Sequence, residues 1–430
     1  MSTAGHAVRA LPDGDSVIEE LLNSPSFKQD PYPVYARMRA QAPVYWSPSS
    51  QMWLVTRADL VAEVASNWEV YSSSLWDRTF LGRLPSELVA ELPTLRKHFG
   101  TPRIVVVDPP THTQQRRPLA KSFTPRRVAM LESRMRAIAS GLLDDIERSG
   151  NGSGEVEFDL IRTFSDPLPI AVIGELFGSA DWADLRRWSH ASTVYTGSSV
   201  VEAETARALD RALSEFRAFI LELAAARRRQ PREDVISDLV TAVDEGDRIT
   251  EDELVVISTT LLIAGHETTS SFIGNGVLAL LRHPDQLDLL RRHPELLPGA
   301  VEELLRYDTS VQRGIRRVTT RDVVLGDQEI PAGMPVTAFL GAANRDPERY
   351  DRPDELDVTR PDVSPMSFGG RPHHCLGASL ARLEGVVAFG MLLDRFDELR
   401  LAEGYEERWD PTLAFRALIE LPLVGKRADR

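Results

Sequence analysis

The sequence predicts an α-rich α+β domain. Three observations carry that expectation: long segments with helical apolar spacing fill most of the chain, short strand-like runs are confined to a stretch after residue 315, and an irregular Pro/Asp/Arg-rich segment leads into one last helix. Arg126 to Ile146 places Val128, Leu131, Met135, Ile138 and Leu142 on one helix face. Thr205 to Arg229 repeats this with Leu209, Leu213, Phe216, Ile220 and Leu223. Between them, residues 149–154 (SGNGSG) read as a flexible turn. The most informative helix begins near Thr250, where Thr250 and Glu253 form a capping box, and runs to about Arg282, where His283-Pro284 stops it. Its centre is apolar on most faces, which places it through the core. His293-Pro294 opens another helix carrying Glu302, Glu303 and Arg306. Val323 to Leu325, the run at Ile330, and Val336 to Leu340 read as short strands joined by Gly-containing turns. Asn344 to Pro365 lacks periodicity and reads as an ordered meander. A helix resumes from Leu376 to Phe396.

The bulk numbers narrow the function. The chain has 430 residues with 42% hydrophobic and 27% charged, ample for a large core, and is read as one domain with residues 1–20 as a flexible N-terminus. A net charge of -14 argues against a nucleic-acid binder, which needs excess Lys and Arg. The single cysteine, Cys375, rules out an intramolecular disulfide. Met1 to Asp15 lacks the basic-then-apolar layout of a signal peptide, and no run approaches the ~20 apolar residues that span a bilayer. The expectation is a cytoplasmic protein with no membrane segment.

Two constellations carry chemistry. Cys375 ends the run 368–375 (FGGRPHHC) and lies just ahead of a helix, where free N–H groups and the dipole favour a thiolate. One thiolate cannot build a four-ligand zinc or iron–sulfur site, but it can be the axial ligand of a haem iron. The bland reading of a lone cysteine is a small buried hydrophobe. The second constellation is 264–269 (AGHETT) inside the core helix. Gly265 and Thr268 there read blandly as packing and a back-bond to the preceding turn. Yet acid and hydroxyl groups in a core helix need partners, and a groove at Gly265 would admit a ligand and water, so that Glu267 and Thr268 could pass protons. Glu303 and Arg306, at i and i+3, share a helix face.

In their order and separation these motifs resemble the cytochrome P450 superfamily, specifically its soluble bacterial class. Residues 330–333 (IPAG), 343–347 (ANRDP), 108–116 (DPPTHTQQR) and 123–126 (FTPR) extend the resemblance over nearly the whole chain. The resemblance implies a helix-rich triangular prism with small β-sheets, holding haem b between the long central helix and the cysteine loop. It implies Cys375 as the proximal iron ligand and His112, Arg116, Arg317 and His373 on the haem propionates. Phe368 would shield the thiolate, with Gly369, Ala264 and Gly377 also against the haem. Thr268 would hydrogen-bond dioxygen, Glu267 would serve proton delivery, and Glu303 and Arg306 would join Arg360 in a buried network. It implies a monomeric monooxygenase fed with electrons from NAD(P)H by a ferredoxin and a ferredoxin reductase, because the chain leaves no segment for a fused reductase. Arg116, Arg117, Lys121, Arg126, Arg127 and Arg371 would form the docking patch. The substrate would be a small to medium apolar metabolite, free or tethered to a carrier protein. Residues 75–83, 194–200, 313–315 and 413–415 would line its site, together with the helix around Ile263. Two departures stand out: Arg371 occupies a position where the family usually has glycine, implying strain or a reshaped loop, and Thr111 replaces a commonly acidic residue. The rival readings are a cysteine-nucleophile hydrolase pairing Cys375 with His373 or His374, and a non-enzymatic protein: a haem-binding sensor, a degenerate carrier-binding module or another non-monooxygenating haem-thiolate protein.

Overall fold

The computed structural model describes residues 15–74, 81–150, 154–178, 182–197, 201–246, 249–314, 316–410 and 415–428. The principal helices are, in order, α1 (Ser16–Leu22), α2 (Ala58–Ser66), α3 (Thr111–Ser122), α4 (Pro125–Met130), α5 (Glu132–Arg148), α6 (Pro167–Phe177), α7 (Trp182–Gly197), α8 (Ala203–Arg229), α9 (Glu251–Arg282), α10 (Leu297–Tyr307) and α11 (Ala378–Arg395). The strands are β1 (Val44–Ser47), β2 (Met52–Val55), β3 (Tyr71–Ser72), β4 (Glu155–Asp159), β5 (Arg317–Thr319), β6 (Val323–Leu325), β7 (Gln328–Ile330), β8 (Pro335–Ala338), β9 (Phe396–Leu401) and β10 (Pro422–Arg427).

The central helix α9 has 32 residues, a rod of about 48 Å at the standard rise. Both halves of its capping box are formed: Glu253 N–H donates to Thr250 Oγ1 at 3.2 Å, and Thr250 N–H donates to Glu253 Oε2 at 2.7 Å. It is capped at His283, ahead of Pro284. α6, α7 and α11 all pack on it, so every layer of the helical half touches this one rod. Glycines permit the closest approaches. A Cβ on Gly276 would lie 2.5 Å from Phe389 of α11, and one on Gly385 would lie 2.7 Å from Phe272 of α9.

The strands form a five-stranded sheet in the order β1-β2-β8-β5-β3, a three-stranded sheet β4-β10-β9 and a hairpin β6-β7. β2 pairs with β8 in parallel, Trp53 opposite Val336, which joins the N-terminal hairpin to the stretch after residue 315. Several expectations are corrected. The helix read over Arg126 to Ile146 is divided at Leu131, where an N–H bond to the carbonyl three residues back tightens the turn between α4 and α5. The run to Leu340 leaves the sheet at Ala338 and turns into a short helix at Leu340–Ala343. Of the N-terminus expected to be flexible, residues 1–14 lie outside the described residues. Ser16–Leu22 is instead a helix capped by Asp15, with Ile18 fully buried against Phe27 and Tyr35.

Candidate functional site

The cysteine loop is shaped by its glycines. Met366–Phe368 forms a 3₁₀ turn, and Gly369 then takes φ +67°, open to glycine without strain. At Gly370 a Cβ would lie 2.5 Å from Ser66 Oγ and 3.2 Å from the backbone of Ala65, so the loop seats against α2 only with glycine there. Cys375 N–H donates to Phe368 O at 2.9 Å and closes the loop. Arg382 lies 4.4 Å over the Phe368 ring. Gly377 caps α11. Arg371 is exposed and does not take positive φ, so the departure at this position is met by loop shape and not by strain.

Cys375 opens onto a cavity of about 510 Å³ whose opposite wall is α9. The cavity explains why Ala264, in mid-helix, is exposed. Burial pushes the Cys375 thiol above its usual range, outweighing the Gly377 N–H and the charges of Arg116 and Arg382. The expected thiolate is therefore not set by the helix N-terminus alone; a coordinating metal ion removes such a proton outright.

Two arginines and two histidines cluster on the cavity wall. His112 and Arg116 come from α3, Arg317 from β5 and His373 from the cysteine loop, and all four line the cavity. The rings of His112 and His373 are 4.3 Å apart. Burial, joined by the repulsion of Arg116 and Arg317, lowers His112 to about 4, against a partial pull from Asp108. Burial and the charges of Arg317, His112 and Arg116 lower His373 to about 3. Burial lowers Arg317 to about 10 despite the nearby Asp108. His112 Nδ1 and Arg317 Nη1 are buried with no hydrogen-bond partner among the described residues. Buried donors left in this state are costly, and a ligand with carboxylates would satisfy them. A flat apolar ring carrying two carboxylates, seated between α9 and a single thiol, fits this lining.

On α9, Thr268 lines the cavity and its hydroxyl donates to Ala264 O at 2.5 Å. Gly265 takes its bland role in part: a Cβ there would lie 2.4 Å from Ile173 Cδ1 of α6. Glu267 is not in the cavity wall. Its carboxylate lies 3.9 Å from His266 Nδ1. His266, passed over in the sequence, is buried between α6 and α7.

Glu303, Arg306 and Arg360 form the buried network expected. Arg306 donates to Glu303 Oε2 at 2.7 Å and Oε1 at 2.8 Å, and Arg360 Nε lies 3.2 Å from both oxygens. Arg306 also holds the carbonyls of Asn344, Pro353 and Glu355, pinning the meander that leads into the cysteine loop.

Over residues 44–412 the sequence matches the family described as cytochrome P450. The chain belongs to the cytochrome P450 family. It is 40% identical over 414 residues to the vitamin D(3) 25-hydroxylase of Pseudonocardia autotrophica, covering 95% of this chain and 97% of that protein. Among solved structures, CalO2 superposes with a TM-score of 0.85 at 33% identity, covering 95% of this chain and 99% of that one. P450BioI, solved with a fatty-acid-loaded acyl carrier protein, gives 0.81 at 32% identity, covering 93% and 99%. As a P450 of the bacterial class, the protein is a monooxygenase, and its family binds haem through a thiolate.

The six basic residues expected to form a docking patch are not all exposed. Arg117, Lys121, Arg126 and Arg371 are exposed. Arg116 lines the cavity, and Arg127 is bound at 2.5 Å to Asp238. Within the expected substrate lining, residues 75–80, 198–200, 315 and 413–414 lie outside the described residues. Thr196, Ile263, Gly314 and Phe415 do line the cavity, whereas Arg313 stacks over Phe339, 4.9 Å from its centroid. No described helix is long and apolar enough to cross a membrane.

Proposed function

We propose that the protein is a cytoplasmic, monomeric P450 monooxygenase in which Cys375 ligates haem b and which inserts one oxygen atom from dioxygen into a largely apolar metabolite. The observation that carries the reading is the convergence of the lone thiol and the His112, Arg116, Arg317 and His373 cluster, with His112 Nδ1 and Arg317 Nη1 lacking partners among the described residues, on one cavity walled by Thr268. When bound, the haem supplies oxygen activation. The chain's own residues do the rest. His112, Arg116, Arg317 and His373 hold the two propionates through charge-assisted hydrogen bonds. Phe368, Gly369, Ala264 and Gly377 give the macrocycle its apolar contacts. Thr268 Oγ1 hands protons into the cavity, and Glu267 resupplies them from its partly exposed position on α9. Leu209, Leu213, Ile263 and Phe272 exclude water from the substrate side.

Electrons come from NAD(P)H through a ferredoxin reductase and a ferredoxin, and the acidic ferredoxin docks on Arg117, Lys121, Arg126 and Arg371. The substrate is a steroid-sized or long-chain skeleton, free or delivered on a carrier protein. The vitamin D(3) named for one relative and the fatty acid carried by an acyl carrier protein in the complex of another support that class. The test is a spectral-shift screen of secosteroids, macrolactones and carrier-bound fatty acids against the haem protein, followed by turnover with a surrogate ferredoxin and mass analysis. A product heavier by one oxygen supports the reading. Haem binding without any NADPH-dependent product would favour a sensor.

A further inference from the structure

His98 lines the cavity, and the reaction as described makes no use of it. It sits on the helix Pro93–Gly100, which three neighbouring helices hold in place. Leu95 N–H donates to Asp210 Oδ1 of α8 at 2.7 Å, and Lys97 Nζ lies 2.8 Å from Asp252 Oδ1 of α9. Phe99 stacks on Tyr195 of α7 with ring centroids 5.4 Å apart, and Arg103 covers the Phe99 ring at 4.6 Å. Leu95 and Phe99, at i and i+4, are the buried residues of this helix, so His98 is carried on a seated element.

The His98 ring stands edge-on to Phe99 at 5.2 Å, and neither ring nitrogen has a hydrogen-bond partner among the described residues. Burial alone lowers the ring to about 4, so it is neutral near pH 7. The residue is nonetheless only half-buried, and the surface it keeps lies on the cavity. Hydroxyls in the same wall are already committed: Ser192, Thr196, Thr259, Thr260 and Thr268 each donate to the carbonyl four residues back. A neutral imidazole has one N–H and one bare nitrogen. A hydroxyl both donates and accepts, so it satisfies whichever nitrogen meets it, in either tautomer; a ketone could meet only the N–H. A ligand that fills the cavity displaces water from this ring, and one without an oxygen there leaves the ring unsatisfied. We propose that His98 is a specificity-determining residue that hydrogen-bonds an aliphatic hydroxyl on an otherwise apolar substrate. The inference deepens the monooxygenase reading, on which it rests: the substrate arrives as an alcohol, and oxidation falls at another position of the same skeleton. A reaction that installs or retains that hydroxyl must precede this one.

The test uses the haem-loaded enzyme and matched probes on two skeletons: androstanol, oxygen-free androstane and androstanecarboxylic acid, then dodecanol and dodecane. Dissociation constants are read from the Soret shift. On at least one skeleton the parent should bind the alcohol about tenfold more tightly than the hydrocarbon, the worth of a hydrogen bond otherwise left unmade. His98→Phe keeps a ring against Phe99 but no nitrogen; it should bring the ratio to within about twofold and leave hydrocarbon affinity unchanged. His98→Gln keeps a donor and an acceptor and should retain at least about a threefold preference. Independently of affinity, the ring ¹⁵N resonances that vanish in His98→Phe should shift when the alcohol is added to the diamagnetic ferrous carbon monoxide form, and stay in place with the hydrocarbon. A parent with no preference on either skeleton, or a His98→Phe enzyme that keeps one, overturns the proposal. So does tighter binding of the carboxylic acid than of the alcohol, which would assign this part of the wall to the Arg103 cation. Failure of the underlying reading shows separately, as a parent without the long-wavelength Soret band; with that band present and the alcohol preference absent, only the His98 inference fails.

Discussion

Replacing Glu303 by Gln removes the one carboxylate shared by two buried guanidinium groups. Glu303 and Arg306 are both fully buried, so water cannot take over the lost charge. Arg306 keeps its bonds to the carbonyls of Asn344, Pro353 and Glu355, and a Gln oxygen can still accept one hydrogen bond. What is lost is the bidentate ion pair at 2.7 and 2.8 Å and the neutralisation of Arg360 at 3.2 Å. Breaking one side of a buried pair costs about 3–5 kcal/mol. Unfolding entropy of about 2.1 cal/mol/K per residue makes each kcal/mol worth only about 1 °C in a chain of 430 residues, so Tm should fall by about 3–5 °C. Because Arg306 pins the meander that leads to the cysteine loop, haem should be lost in the same transition. The assay is thermal denaturation followed in parallel by haem absorbance and far-ultraviolet circular dichroism. A variant that melts within about 1 °C of the parent and retains its haem would refute the argument.

Other consequences are separable. Arg317→Leu removes a buried cation that lacks a protein partner at Nη1, so it should leave the haem-free chain as stable or more so, yet speed haem transfer to apomyoglobin by at least about tenfold, the worth of a charge-assisted bond; equal haem-loss rates would count against its propionate role. Thr268→Ala should retain haem while diverting electrons to hydrogen peroxide, read as peroxide formed per NADPH; unchanged coupling would remove Thr268 from the proton route. Glu384, buried in α11 with Oε2 unpartnered, is raised by burial to about 8, so the fold keeps it protonated where the unfolded chain, near 4.5, releases the proton. Stability from this group therefore declines as pH rises from about 4.5 to about 8, by roughly 3–5 kcal/mol across the window. Glu384→Gln should flatten that slope in urea titrations at the two ends, and an equally steep variant would refute the assignment.

Much of the scaffold could be read because its signals were local. The capping box at Thr250 and the stop at His283-Pro284 bracket α9 within one residue of its observed ends. Gly369, Gly370 and Cys375 declared a loop whose backbone needs glycine. The hairpin β1–β2 escaped notice because both strands are four residues long and buried on both faces, which erases alternation. β9 follows α11 with no breaker between Arg395 and Phe396, so the helical pattern ran over its start. Long-range pairing left no trace in the string. Nothing near Arg127 announces Asp238, and nothing in A-G-x-E-T-T announces that His266 turns away from the cavity towards Asp166 and Ser189. The sequence supplied Glu267 and Thr268 as neighbours; only the structure shows that Thr268 lines the cavity and Glu267 does not.

The central claim is that the sulfur of residue 375 holds the iron. Parent and Cys375→Ser proteins, purified from haem-supplemented cells, should be reduced under carbon monoxide and their difference spectra recorded. The parent should show the long-wavelength Soret band of thiolate ligation, and the variant should lose it. Retention of that band in Cys375→Ser, or a correctly folded parent that binds no haem, would contradict the account.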